Sequence, residues 1–168
     1  RCLVTAVKRN NIDLICIVLG ADTKKDRTRD TIKLIEYAFK TFSPYNIKEK
    51  IENEFQNWIL CNSNSFSVSK GSSNDISPYL ENLNYEYLPL SSNQIQNLSI
   101  YIYCNYTLTA PLEKDSSIGT LAVNIDDKNI ITLNIKNENS ISKMTYKDFF
   151  KSLIKSYPYC LESIIFNT

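Results

Sequence analysis

The side chains that could carry chemistry in this sequence are lysine, serine, tyrosine and the carboxylates, because its 168 residues include no histidine. This absence excludes general acid–base catalysis by histidine, a Ser-His-Asp triad and most catalytic zinc sites. The net charge of +1 is spread along the chain, which predicts no nucleic-acid partner. The cysteines are far apart and form no C-x-x-C pair, so we expect no metal site and no cofactor and interpret most of them as small core residues: Cys2, Cys16, Cys61, Cys104 and Cys160.

The N-terminal residues predict a hairpin followed by a helix. Residues 2–20 predict the hairpin: residues 2–7 alternate between the two faces of a strand, Arg9-Asn10-Asn11 supplies the turn, and residues 14–19 form a continuous apolar run. Such a run is typical of a strand that is buried on both faces, so this hairpin needs more protein to be stable. Residues 27–42 then place apolar side chains at helical spacing, and Ser43-Pro44 ends the helix.

The central residues predict a small β-sandwich. Residues 43–50 are expected to be a linker, and beyond them short strand-like runs alternate with turn signals. Asp126-Asp127-Lys128-Asn129 separates the last two runs and predicts a hairpin turn. The predicted strands cover residues 54–60, 65–70, 83–88, 98–106, 118–125 and 130–135.

Residues 142–157 predict an amphipathic helix. About 16 residues are too few to span a bilayer but enough to lie in its interface. Asp148 is the only acid in the helix, and lysines repeat every four residues on a second face: Lys143, Lys147, Lys151 and Lys155. The apolar stripe follows helical periodicity without a gap: Tyr146, Phe149, Phe150, Leu153, Ile154 and Tyr157. A helix that docks this stripe on the β domain is the alternative, because any docked helix is amphipathic.

Three stretches, in this order, resemble low-molecular-weight penicillin-binding proteins that act as serine D-alanyl-D-alanine carboxypeptidases. RCLVTAVKR at residues 1–9 and LICIVLGA at residues 14–21 are similar to the two strands that follow the K-T-G strand of that family. Arg27 with DTIKLIEYAF at residues 30–39 is similar to the last helix of the catalytic domain. LTAPLEK at residues 108–114 with IGTL at residues 118–121 is similar to the hairpin of the C-terminal β domain.

The resemblance implies a catalytic domain with S-x-x-K, S-x-N and K-T/S-G motifs in that order, all of them upstream of Arg1. The implied substrate is the peptidoglycan stem peptide, and β-lactams acylate the same serine. S-x-x-K occurs here from Ser67, Ser140 and Ser152, and S-x-N from Ser72 and Ser91, but no K-T-G or K-S-G follows. We interpret these matches as chance in a Ser- and Lys-rich chain, so we predict no catalytic residue and no activity in this chain alone.

Arg27 is the candidate substrate-binding residue, because the resemblance places it near the cleft and stem peptides end in a carboxylate that a guanidinium can bind. The alternative is a solvated arginine in the first turn of a surface helix. Its neighbours Lys24, Lys25, Asp26 and Arg29 form a charged cluster, and such clusters are usually solvated.

The same resemblance favours a membrane-surface role for the C-terminal helix, since such carboxypeptidases commonly end in an amphipathic anchor. We therefore expect an extracytoplasmic protein, peripheral on the outer face of the cytoplasmic membrane. The start lacks Met and signal-peptide architecture, which indicates a processed or truncated chain. The predicted membrane-binding residues are Lys143, Lys147, Phe149, Phe150, Lys151, Leu153, Ile154, Lys155 and Tyr157.

The expected fold class is α+β, with two strands and a helix of a penicillin-binding transpeptidase-like domain, a small all-β sandwich-like domain and the C-terminal helix. The expected domains are residues 1–45, 46–140 and 141–168, and the first needs the upstream part of its own catalytic domain as a partner. Two other hypotheses are a non-catalytic, membrane-associated β interaction module and an unrelated globular fold.

Overall fold

The computed structural model describes residues 1–156, with side chains throughout except at positions 152 and 154–156. The chain forms ten strands and four α-helices in this range. The strands are β1 (Leu3–Arg9), β2 (Ile12–Val18), β3 (Phe42–Asn46), β4 (Ser67–Ser69), β5 (Pro78–Leu80), β6 (Tyr87–Ser91), β7 (Leu98–Cys104), β8 (Thr107–Thr109), β9 (Ser117–Ile125) and β10 (Lys128–Asn137). The helices are α1 (Lys24–Thr41), α2 (Ile47–Asn62), α3 (Ser92–Gln96) and α4 (Tyr146–Ser156). An α+β fold rich in short strands is therefore confirmed.

Both predicted hairpins are present, and the same turn chemistry forms them. Asn10 and Asn11 join β1 to β2 with φ of 48° and 60°, and Asp126 and Asp127 join β9 to β10 with φ of 49° and 61°. Two consecutive residues with positive φ match the right-handed twist of the flanking strands, and Asn and Asp tolerate that conformation best after glycine. These local signals explain why both hairpins could be predicted.

The first hairpin has one covered face and one open face. Ile12 and Cys16 on β2 are buried, and the Cys16 Sγ lies 4.0 Å from the Thr31 carbonyl oxygen of α1. On the opposite face Ile15 and Ile17 are 73% and 58% exposed. The apolar run is therefore covered on one side only by the described residues.

Helix α1 confirms the prediction for residues 27–42, with a start three residues earlier. The Thr23 side chain accepts a hydrogen bond of 3.1 Å from the Asp26 amide, which caps the first turn. Pro44 follows the helix as part of β3, where its missing amide hydrogen is tolerated at the edge of a two-stranded pairing.

The predicted linker at residues 43–50 is wrong. Residues of this stretch form β3, which pairs antiparallel with β6, and the first turn of α2. The Asn46 Oδ1 accepts a 3.0 Å hydrogen bond from the Glu49 amide, as an N-cap side chain does. The segment looked like a linker because its polar residues serve this cap and strand pairing.

The predicted strand at residues 54–60 is also wrong, because α2 covers it. Ile47, Ile51 and Phe55 lie four residues apart and are at most 4% exposed. This helical period begins at Ile47, before the apolar run of residues 54–60, and Phe55 stacks on Trp58 within the helix. The expectation that residues 46–140 are all-β therefore fails, since α2 and α3 lie among them.

The largest sheet has four strands in the order β5-β10-β9-β7. Alternate residues of β10 are buried from Ile131 to Asn137, which gives the half-buried pattern of a sheet with one covered face. In β9 the buried residues change from one face of the strand to the other between Ile118 and Leu121, where Gly119 lies. The remaining pairs are β1-β2, β3-β6 and the parallel β4-β8. A sandwich-like arrangement of these sheets stays a prediction.

The chain divides into two compact units, one of residues 1–58, 82–102 and 121–133 and the other of residues 59–81, 103–120 and 134–168. In the first, the α1 helix packs on the β1-β2 hairpin and the Glu86 carbonyl accepts from the Ile47 amide at the start of α2. In the second, Ile141 is 2% exposed and exchanges backbone hydrogen bonds of 2.8 Å with Leu112. The division at residues 45 and 140 stays a prediction.

Candidate functional site

Arg27, the predicted substrate-binding residue, is the fourth residue of α1 and is partly exposed. Its Nη1 donates to the Cys2 carbonyl oxygen at 3.4 Å, and its Nε is buried without a hydrogen-bond partner among the described residues. The nearby carboxylates of Asp26 and Asp30 pair with Arg29 instead, at 2.8 and 3.6 Å. The Arg27 side chain is therefore held through Nη1, and its buried Nε keeps an unsatisfied donor. Its role in substrate binding stays a prediction, as does the alternative of a solvated surface arginine.

The serines of the S-x-x-K matches do not begin a helix. Ser67 lies on β4 with an exposed side chain, and its Oγ donates to the Tyr106 carbonyl oxygen at 3.5 Å. Ser140 is exposed in the segment between β10 and α4, and Ser152 lies within α4. A nucleophilic serine of this class needs a buried position that faces a cleft, whereas Ser67 and Ser140 are exposed. The absence of a catalytic residue from this chain stays a prediction.

The C-terminal helix begins at Tyr146, four residues later than predicted. Thr145 caps it: the Asp148 amide donates to the Thr145 Oγ1 at 3.3 Å, and the Thr145 Oγ1 donates to the Asp148 carboxylate at 2.6 Å. These hydrogen bonds from Thr145 lower the pKa of Asp148. The residues before Thr145 form bridges instead, with Lys143 opposite Gly71 and Ile141 opposite Leu112, so Lys143 is outside the helix.

The apolar stripe of α4 is exposed. Tyr146 is 87%, Phe150 63%, Phe149 50% and Leu153 39% exposed. Lys143, Lys147 and Lys151 are exposed as well. Of the other predicted membrane-binding residues, Ile154 and Lys155 have side chains outside the described set, and Tyr157 lies outside the described residues. The alternative, a stripe buried on the β domain, does not match these exposures.

A groove of about 1040 Å³ lies between α4 and the turn after β4. The sequence does not indicate this groove, because its two walls are far apart in the chain. The Met144 amide donates to the Lys70 carbonyl oxygen at 2.8 Å, and the Ser72 amide to the Ser142 carbonyl oxygen at 2.9 Å, so the walls are tied together. The groove is lined by Val68, Lys70, Gly71, Ser72, Ser73, Asn74, Lys143, Met144, Thr145, Tyr146, Phe149 and Phe150.

The cysteines follow the core interpretation only in part. Cys16 is buried, and Cys104 is partly buried with its Sγ 3.3 Å from the Ile118 carbonyl oxygen. Burial raises the pKa of the Cys104 thiol to about 11. Cys2 and Cys61 are exposed, so for these two the interpretation is wrong, and Cys160 lies outside the described residues. No group of three or more acidic or thiol side chains suited to a metal occurs in the described part of the chain.

Comparison with known proteins settles the family. The model of the penicillin-binding protein 5 C-terminal domain matches residues 60–143, which is half of the chain. This chain belongs to that family. The expected resemblance to the C-terminal portion of a D-alanyl-D-alanine carboxypeptidase is thereby confirmed, and the hypothesis of an unrelated fold is wrong. No helix among residues 1–156 is long and apolar enough to cross a membrane.

Curated relatives of this chain are named D-alanyl-D-alanine carboxypeptidases. D-alanyl-D-alanine carboxypeptidase DacA of Escherichia coli (strain K12) is 27% identical over 129 residues, which are 76% of this chain and 29% of that protein. DacF of Bacillus subtilis (strain 168) is 21% identical over 159 residues, 89% of this chain and 36% of that protein. The chain thus spans about a third of the length of the relatives it matches.

Solved structures show the same fold. Penicillin-binding protein 5 from Haemophilus influenzae superposes with a TM-score of 0.52 at 20% identity, over 84% of this chain and 39% of the other. The D-alanyl-D-alanine carboxypeptidase DacD from Francisella tularensis gives a TM-score of 0.50 at 17% identity, over 85% and 33%. At these identities the likeness concerns the fold alone.

Proposed function

We propose that this chain is the C-terminal part of a serine D-alanyl-D-alanine carboxypeptidase. The family match of residues 60–143 carries the proposal. The open face of the β1-β2 hairpin supports it, because Val4 pairs with Ile17 and Ala6 with Ile15 across the strands to form one apolar surface. In a doubly covered sheet such a surface is packed against more protein. The occupant proposed is the upstream part of the same catalytic domain.

In the whole protein, a serine in that upstream part attacks the carbonyl of the terminal D-Ala–D-Ala amide and forms an acyl-enzyme. The terminal D-alanine leaves, and water hydrolyses the ester. Penicillins acylate the same serine through their β-lactam carbonyl. This chain contributes Arg27, whose guanidinium binds the free carboxylate of the stem peptide; the resemblance of residues 27 and 30–39 to the last helix of the catalytic domain supports this role.

Labelling with a fluorescent penicillin tests the assignment. The whole protein is expected to form a covalent band and to release D-alanine from a pentapeptide, whereas this chain alone is expected to do neither. The chain alone is a matched control, because it keeps every S-x-x-K and S-x-N match. A labelled band from the chain alone, or an unlabelled whole protein, would contradict the proposal.

Arg27→Ala in the whole enzyme tests the substrate role. A lost charge-assisted hydrogen bond costs roughly 1.5–3 kcal/mol, so kcat/KM for a substrate with a free carboxylate is expected to fall about 10- to 150-fold. Turnover of the corresponding amide is expected to fall much less. Arg29→Ala is the matched control, since Arg29 already pairs with Asp26. Equal losses on both substrates would leave Arg27 a structural residue.

We further propose that α4 attaches the protein to the outer face of the cytoplasmic membrane. Its exposed apolar stripe and the flanking Lys143, Lys147 and Lys151 support this, because anionic lipid attracts juxtamembrane lysines. A non-catalytic, membrane-associated interaction module is the second candidate, favoured by the same exposed stripe. Penicillin labelling separates the two, since only the enzyme is acylated.

A further inference from the structure

The groove between α4 and the turn after β4 combines an apolar interior with two cationic side chains. Met144, Phe149 and Phe150 supply much of its apolar lining. The lining includes no aspartate or glutamate, and the ammonium groups of Lys70 and Lys143 form no ion pair within 4 Å among the described residues. A ligand that suits such a groove has an apolar body and an anionic group.

The backbone holds the two lysines at the groove in a fixed arrangement. Gly71 lies opposite Lys143 in an antiparallel bridge, flanked by the hydrogen bonds from Met144 to Lys70 and from Ser72 to Ser142. A Cβ on Gly71 would lie 2.7 Å from the Val68 Cγ1 and 2.9 Å from the Ser73 carbonyl oxygen, so only glycine permits this close packing. The site therefore depends on backbone contacts and not on the flexible lysine side chains alone.

We propose that this groove binds one molecule of anionic lipid, with an acyl chain along Met144, Phe149 and Phe150 and the headgroup phosphate at Lys70 and Lys143. The inference rests on the proposed membrane attachment of α4 and assigns its lipid preference to a defined site. Phe149 and Phe150 belong both to the exposed stripe and to the groove lining, so a chain can enter from the bilayer along a continuous apolar surface. Lys70 had no role in the predicted membrane-binding set.

Monomeric short-chain lipid tests the groove apart from the membrane. The full chain is titrated with dihexanoyl phosphatidylglycerol below its critical micelle concentration, and backbone amide shifts are followed by NMR. Saturable one-site binding is expected, with shifts concentrated at residues 70–74 and 143–150. Dihexanoyl phosphatidylcholine is expected to bind about 30-fold more weakly, since two lysines favour the anionic headgroup.

Two double variants test which lysines cause the preference for phosphatidylglycerol over phosphatidylcholine. Lys70→Gln with Lys143→Gln is expected to bring the affinity for phosphatidylglycerol down to that for phosphatidylcholine. Lys147→Gln with Lys151→Gln removes the same charge from α4 outside the groove and is expected to keep the preference. Glycerol phosphate, which has the anionic group without chains, is expected not to bind. An unchanged preference in the first variant, or equal binding of glycerol phosphate, would overturn the proposal.

Co-sedimentation with anionic vesicles separates this proposal from membrane attachment. If the chain binds vesicles but ignores the monomeric lipid, the groove proposal fails and the attachment of α4 stands. If monomeric lipid binds and vesicles do not, the attachment fails and the groove site stands. Dimerisation by light scattering, with the same amides shifted and no response to lipid, would show that a second copy fills the groove.

Discussion

Replacing Phe149 and Phe150 with alanine should weaken membrane binding without weakening the fold. The two side chains are 50% and 63% exposed, so other residues of the chain cover only part of each ring. Full burial of a phenylalanine side chain contributes roughly 1.5–3 kcal/mol, and scaling by these exposed fractions gives about 2–3 kcal/mol for the pair. That corresponds to a decrease of about 30- to 150-fold in the vesicle partition coefficient.

Co-sedimentation with vesicles that contain anionic lipid measures this coefficient as the fraction bound against lipid concentration. Leu60→Ala is the control, because Leu60 is 78% exposed on α2 and lies outside the proposed surface. Circular dichroism checks that each variant stays folded. If the double variant binds within threefold of the parent, or if Leu60→Ala loses as much, then α4 does not carry the attachment and the reasoning from its exposed stripe is wrong.

Three further predictions concern the fold itself. Gly119→Ala should lower the free energy of unfolding, measured in urea, by about 1–3 kcal/mol. The new Cβ would press on the Tyr103 carbonyl oxygen and lie 2.9 Å from the Cys104 Cα. A loss no larger than that of Thr120→Ala would contradict this. Cys104 should react with maleimide at pH 8 far more slowly than the exposed Cys61. A thiol with a pKa of about 11 is only roughly 0.1% ionised at pH 8. Mass spectra of the labelled peptides give both rates, and equal rates would refute this prediction. Glu81→Gln should reduce stability at pH 7 but not in acid, because hydrogen bonds from Lys136 and Asn134 lower the folded-state pKa of Glu81. That stabilisation is present above the unfolded pKa and is lost as pH falls through the folded one, so parallel stability curves against pH would disprove it.

The sequence predicts those elements whose signals are local. The Asn10-Asn11 and Asp126-Asp127 turns specify both hairpins by themselves, because positive φ at two consecutive positions leaves few other loops possible. Helix α1 is bounded by a Thr23 cap and by Pro44, which act within a few residues. The resemblance to the family predicts Arg27 as a site residue. The burial of its Nε depends on tertiary packing, so the sequence does not indicate it.

The sequence fails where tertiary contacts decide. Helix α2 has an apolar run near its end that fits a strand as well as a helix, and its helical period depends on Ile47 and Ile51, which lie in the supposed linker. The groove was missed for a related reason. Lys70 and Lys143 come together only through the bridge between Gly71 and Lys143, and no spacing within one segment indicates such a pair.

Among the exposed apolar surfaces of the described chain, the β1-β2 hairpin face and the α4 stripe differ in charge, and this difference indicates different occupants. On the β1-β2 hairpin, Val4, Ala6, Ile15 and Ile17 form a surface that ends at the Lys8–Asp13 ion pair, so this face has no net charge. A neutral, flat strand face gains most from packing against other protein. The α4 stripe is instead accompanied by Lys143, Lys147 and Lys151, which remain hydrated when the aromatic side chains enter a lipid interface. The same exposure of large apolar residues therefore supports a protein partner at one surface and an anionic bilayer at the other.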